Sequence, residues 1–253
     1  IVMPAASAAL SVDLFGRSGA ANMARDLALL RAARTGRVRF RLYRWDPPCL
    51  SFGRNESALT RYDVQAIDGL GLATVRRPTG GRAVWHDAEV TYAVAGSIGD
   101  FGPLAATYDR IHRLLAAALR RLGAPAELAP ARRAPSTDAG ACFAAPVGGE
   151  VVIEGRKVVG SAQLREGNAF LQHGSILLED GQDVVARVTR GRVSQPTGTS
   201  LAATLGRRIT FDEVATAVRK ELEAAFIVEP VGADAPDPTD LARFANADWT
   251  WRR

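Results

Sequence analysis

Lysine is almost missing from this chain. Of its 32 basic residues only Lys157 and Lys220 are lysine, and arginine supplies the rest. Arg holds its proton in any protein setting, whereas a partly buried Lys shifts its pKa readily. Lys157 sits between apolar strand segments, where a chemical role competes with chance placement at a strand end. Cysteine is scarce too. Cys49 and Cys142 exclude a disulfide framework and point to a reduced, cytoplasmic setting. His86, His112 and His173 show no metal-ligand spacing with each other or with the cysteines, so no metal is expected. No apolar run reaches the roughly 18 residues of a membrane span. The opening IVMPAASAALSVDLFG lacks a basic leader, so no signal peptide is expected. Repeats and heptads are absent. The net charge is +5, but no long basic run or aromatic-rich basic motif accompanies it. That disfavours nucleic acid and suits an acidic protein partner.

What remains is ordinary globular material: 253 residues, 47% hydrophobic and 23% charged. A single domain over residues 1–253 is expected, with no separate C-terminal accessory domain. Met23, Leu27 and Leu30 recur at helical spacing, predicting a helix over 20–34 with Asn22 as its cap. VRFRLYRW at 38–45 alternates apolar and basic residues, as a strand with one solvated face does. CLSFG at 49–53 reads as a strand with Cys49 a small buried hydrophobe. A short helix is expected at 60–69 and strands at 72–77 and along EVTYAVAG. Residues 104–122 form an amphipathic helix ended by Gly123, with His112 at its surface or boundary. Residues 124–141 and 192–206 read as loops, and 181–190 as a short helix. Phe211–Phe226 reads as a helix capped by Thr210. Without repeated βαβ units, the irregular mixture predicts an α/β fold of the α+β type. Its mixed, largely antiparallel sheet would be flanked by helices.

Three segments could carry chemistry: RRPTGGRAVWHD, the Ala-Cys-Phe around Cys142, and GRKVVGSAQ followed by QHGS. A Gly-Gly loop lets backbone N–H groups approach a ligand closely. A thiolate attacks thioesters readily, and a neighbouring cation favours it. Lys157 lies 15 residues after Cys142, on a strand able to fold back, and such a pair suits acyl transfer. Spacing alone leaves a second reading open, with Cys142 a small buried residue and Lys157 a solvated charge.

Taken in order and spacing, RRPTGGRAVWHD, GRKVVGSAQ and QHGSILLED resemble the lipoate/biotin protein ligase superfamily, from NMARDLALL to the terminal DWTWRR. Within it the chain is most similar to octanoyltransferases of the LipM type. Those carry Cys-Phe, a Pro three residues after the Cys, then a strand into EGRK. Here these are Cys142, Phe143, Pro146 and Glu154-Gly155-Arg156-Lys157.

The resemblance implies the biotin/lipoate ligase catalytic fold. It implies Cys142 as the acyl-accepting nucleophile and Lys157 as contact to the acyl carbonyl. Arg77, Thr79, Gly80, Gly81 and His86 would wall the acyl pocket, with Gly160, Ser161, Ala162 and His173 opposite. The donor would be octanoyl-phosphopantetheine on acyl carrier protein. The acceptor would be a lipoyl-domain lysine, such as that of glycine-cleavage H protein. No cofactor is needed for such an exchange, and a monomer is expected. Gly148 and Gly149 depart from the bulky aromatic residues common in the family after the Pro, and Leu27 from a common acidic residue. The rival is an ATP- and Mg-dependent lipoate–protein ligase, which shares the Gly-Gly loop and the lysine but needs no cysteine at position 142. A non-catalytic acyl- or protein-binding module is the remaining alternative.

Overall fold

Strand β1 (Ser7–Val12) leads to helix α1 (Gly19–Ala32) and back to β2 (Val38–Tyr43), which pairs parallel to β1. The structure is a computed structural model and describes residues 7–34, 37–130, 148–191 and 197–252. The chain continues through β3 (Cys49–Phe52), α2 (Ala58–Arg61), α3 (Val64–Gly69), β4 (Ala73–Arg76), β5 (Val84–His86) and β6 (Glu89–Ser97). Then come α4 (Ile98–Phe101), α5 (Leu104–Arg121), β7 (Ala126–Leu128), β8 (Val151–Ile153) and β9 (Arg156–Lys157). The hairpin of β10 (Val159–Glu166) and β11 (Ala169–Leu177) follows. After it come α6 (Asp183–Arg187), α7 (Leu201–Leu205), α8 (Phe211–Ala225), β12 (Ile227–Pro230), α9 (Pro238–Ala245) and α10 (Ala247–Thr250).

The main sheet has the order β10-β11-β6-β2-β1-β12. Its first three pairings are antiparallel and its last two parallel. Two small sheets, β4-β3-β5 and β7-β8-β9, stand beside it. The expected mixed, largely antiparallel sheet flanked by helices is what the chain builds. Two βαβ crossovers escaped the sequence reading: β1–α1–β2, and β3–β4 with α2 and α3 between them.

Period-two alternation sorts the core into layers. Val90, Tyr92 and Val94 of β6, with Phe40 and Leu42 of β2, join Ile111, Leu115 and Leu119 of α5 and Val214 and Val218 of α8. Ala93 and Ala95, with Tyr43, face the other way, onto Met23, Leu27 and Leu30 of α1 and Phe244 of α9. Truncating one such Leu to Ala costs about 2–5 kcal/mol.

Local details correct several expectations. Ser18, not Asn22, caps α1, accepting from the Ala21 N–H. Asn22 is buried, and its amide donates to the Arg17 and Arg44 carbonyls. Arg41 does not face solvent as the alternation of β2 suggested. It is 1% exposed because Asp13, Asp26 and Asn22 surround its guanidinium, each 2.8 Å away. The helix expected at 60–69 is broken into α2 and α3, because Asp63 caps the second piece. Inside the expected loops, 126–128 pairs as β7 and 201–205 coils as α7 with Ser200 as cap. Helix α8 starts where expected, with a reciprocal capping box between Thr210 and Glu213. Among the described residues no helix is long and apolar enough to cross a membrane.

Candidate active site

A cavity opens between the Gly-Gly loop, the β10–β11 hairpin and the start of α1. Seven of the expected residues line it: Arg77, Gly81, His86, Gly160, Ser161, Ala162 and His173. Met23, Tyr43, Trp45, Val84 and Thr91 complete an apolar wall that sequence reasoning missed. Thr79, Gly80 and Lys157 are not part of the lining.

The Gly-Gly loop depends on a third glycine. A Cβ at Gly53 would collide with the Gly81 carbonyl oxygen, so the end of β3 must be bare for the loop to pack on it. Gly81 itself takes φ of 93°. Arg77 pins the loop from inside. One of its guanidinium nitrogens donates to the Gly80 and Arg82 carbonyls, the other to the Ser51 carbonyl and hydroxyl.

Two buried imidazoles stand on the cavity wall, each held between a carboxylate and a hydroxyl. His86 Nδ1 lies 2.8 Å from Glu89 and its Nε2 2.6 Å from Ser51 Oγ. A carboxylate only accepts, so Nδ1 carries the proton and Nε2 accepts from Ser51. Burial pushes the His86 pKa down, against the pull of Glu89. The ring stacks on Trp45 at 4.0 Å. His173 repeats the arrangement, with Nδ1 2.8 Å from Asp26 and Nε2 2.6 Å from Thr79 Oγ1. Thr79 thus acts behind the wall, through His173. Gly174 must also stay bare, because a Cβ there would strike the Gly160 carbonyl across the hairpin.

Lys157 belongs to a second cluster. It is 3% exposed, not a solvated strand-end charge, and its Nζ donates to Glu150 at 2.6 Å. His112 lies in the same region, and it too corrects the reading as a surface residue. It is fully buried, with Nδ1 2.7 Å from the Gly149 carbonyl and Nε2 2.8 Å from Ser161 Oγ. Burial drives its pKa down to about 4, with the Lys157 charge adding to the effect and the Gly149 carbonyl opposing it. A sequence signal existed: His112 is three residues before Leu115 and seven before Leu119, on the apolar stripe of α5.

Cys142, Phe143 and Pro146 lie outside the described residues. The other cysteine, Cys49, is buried, and desolvation pushes its thiol up to about 12, as suits an inert core residue. Among the described residues no His, Cys, Asp and Glu side chains gather into a group able to hold a metal ion.

The model of the lipoyl protein ligase A/B catalytic domain matches residues 18–223. The chain belongs to the lipoyl protein ligase A/B catalytic domain family. Within this family it is similar to the octanoyltransferase LipM of Moorella thermoacetica. The two are 38% identical over 260 aligned positions, covering 92% of this chain and 93% of the relative. The expectation of an acyltransferase holds at that level. Solved family folds superpose closely. A lipoate-protein ligase A bound with ATP gives a TM-score of 0.77 at 20% identity, covering 98% of this chain and 99% of the other. The bipartite lipoate protein ligase of Thermoplasma acidophilum, solved in a study of that enzyme and its E2 lipoyl domain, gives 0.73 at 20% identity. It covers 98% and 96%. At such identity these likenesses establish the lipoyl ligase fold.

Proposed function

We propose that the chain is an octanoyltransferase of protein lipoylation, acting through a thioester on Cys142. The observation that carries this reading is the 38% identity to an octanoyltransferase over 92% of the chain. The presence of Cys142, Phe143 and Pro146 ahead of Lys157 supports it.

In the first half-reaction the Cys142 thiolate attacks the octanoyl thioester of acyl carrier protein. A new C–S bond forms, the old one breaks, and the phosphopantetheine thiol leaves with the proton. In the second, a lipoyl-domain lysine amine attacks the acyl-enzyme, an amide forms, and Cys142 leaves as the thiol. Thioester exchange is near neutral and amide formation draws the sequence forward, so no ATP is required. The cavity beside Gly81 and Gly160 takes the octanoyl chain, with Met23, Tyr43 and Val84 as apolar wall. Lys157 stabilises the developing oxyanion. The net charge of +5 favours acidic carriers, with acyl carrier protein as donor and the glycine-cleavage H protein as acceptor. Both half-reactions belong in the cytoplasm.

The test is an intact mass after incubation with octanoyl-carrier protein in the absence of ATP. A hydroxylamine-labile octanoyl adduct is expected, and it disappears in Cys142→Ala. If no adduct forms, and free lipoate plus ATP gives an acyl-adenylate, the chain is a ligase.

A further inference from the structure

A chain of hydrogen bonds runs from α5 across the hairpin to the cavity, and elementary chemistry fixes the direction of every one. Both ends are backbone carbonyls, which only accept. At one end Gln163 Nε2 donates to the Leu104 carbonyl at 3.0 Å and to Gln172 Oε1 at 2.9 Å. Gln172 Nε2 donates to the Tyr92 oxygen at 2.9 Å. At the other end His112 Nδ1 must donate to the Gly149 carbonyl, which leaves Nε2 as an acceptor in the neutral ring. Ser161 therefore gives its only proton to His112, at 2.8 Å. Tyr92, 2.6 Å from Ser161 Oγ, must then donate to it.

Ser161 lines the cavity. With one proton given and one lone pair taken, the only capacity it has left is a single lone pair. A hydroxyl so held serves no carbonyl, but it does serve an N–H. We propose that Ser161 accepts a hydrogen bond from the attacking lysine amine in the second half-reaction, and that His112 is the positioning residue that turns the Ser161 proton away. The assignment rests on the octanoyltransferase reading. It gives the nucleophile an acceptor of its own, separate from the cation that the octanoyltransferase reading assigns to the acyl carbonyl.

The experiment separates two nucleophiles acting on one acyl-enzyme. The full chain is loaded with octanoyl, then offered either lipoyl-domain lysine or pantetheine. An attacking thiolate brings no N–H for Ser161 to hold. In His112→Leu and Ser161→Ala the ratio of amine to thiol transfer falls, roughly 10- to 100-fold, the size of one hydrogen bond to a charged or reacting group. Tyr92→Phe leaves the Ser161 proton on His112 and keeps the ratio of the unaltered chain. Should His112→Leu not fold, Ser161→Ala carries the test. An equal loss toward both nucleophiles, an unchanged ratio, or a fall in Tyr92→Phe matching that in His112→Leu overturns the assignment. Failure of the unaltered chain to form any octanoyl adduct overturns the transferase reading, and this assignment with it.

Discussion

His173 Nδ1 stands 2.8 Å from Asp26 Oδ2, so one buried carboxylate latches β11 to α1 while also holding Arg41 at 2.8 Å and the Tyr43 hydroxyl at 2.8 Å. Removing it leaves the Arg41 guanidinium in the core with fewer partners and frees the His173 ring. Asp26→Ala is expected to destabilise the chain by about 3–5 kcal/mol, the cost of breaking a buried pair from one side. Urea unfolding measures it. A loss below about 1 kcal/mol would place the network with weak surface pairs.

The Lys157–Glu150 pair makes a different prediction, because its two halves separate stability from chemistry. Lys157→Met removes the ammonium from beside a Glu150 carboxylate that is 6% exposed in its side chain, and the expected loss is again about 3–5 kcal/mol. Adding Glu150→Gln removes the carboxylate charge as well and restores most of that stability. It is not expected to restore octanoyl transfer, because the proposed reaction relies on the Lys157 cation. Recovery of transfer in the double variant would remove Lys157 from the reaction.

His112 gives the stability a pH dependence whose sign follows from its two states. The unfolded imidazole titrates near 6.5 and the buried one at about 4. Between these values the unfolded chain binds a proton that the folded chain refuses, so acidification favours unfolding. From pH 6.5 down to 4 this group removes about 3 kcal/mol, and below 4 it adds no further slope. The difference in unfolding free energy between the unaltered chain and His112→Leu, measured across that range, isolates the term. A difference that does not vary with pH would mean that the ring titrates normally.

Gly53 tests the packing of the loop. A Cβ there meets the Gly81 carbonyl, which is backbone and cannot swing aside. Gly53→Ala is expected to cost about 1–3 kcal/mol, as overpacking does. It should also displace the Gly-Gly loop, raising KM for the acyl donor. Thermal unfolding and steady-state kinetics read the two effects. Ala at Gly80, where nothing lies within 4 Å of the added Cβ, is the matched control.

Much of the fold was legible because it depends on neighbours in sequence. The stripe of α5, the capping box at Thr210 and the alternation along β6 each fall within a few residues of themselves. Strand β12 was harder, since it is four residues long with no buried side chain and exists by pairing with β1. The cavity residues on the Gly-Gly loop and on β10 came from motif resemblance. Met23, Tyr43 and Trp45 could not, because an apolar residue that walls a cavity has the same spacing as one that fills a core.

The sequence by itself determined the long helices α1, α5 and α8, most strands, the family and the cysteine–lysine pair on which the proposed chemistry rests. Only the tertiary structure decided which polar side chains are buried and in which direction their hydrogen bonds run. Asp26 and His173 are 147 positions apart, and His112 and Ser161 are 49 apart. Periodicity reports whether a residue faces inward. The partner that makes burying an Arg41, a Lys157 or a His112 tolerable comes from another element, and it is known only once the elements have packed.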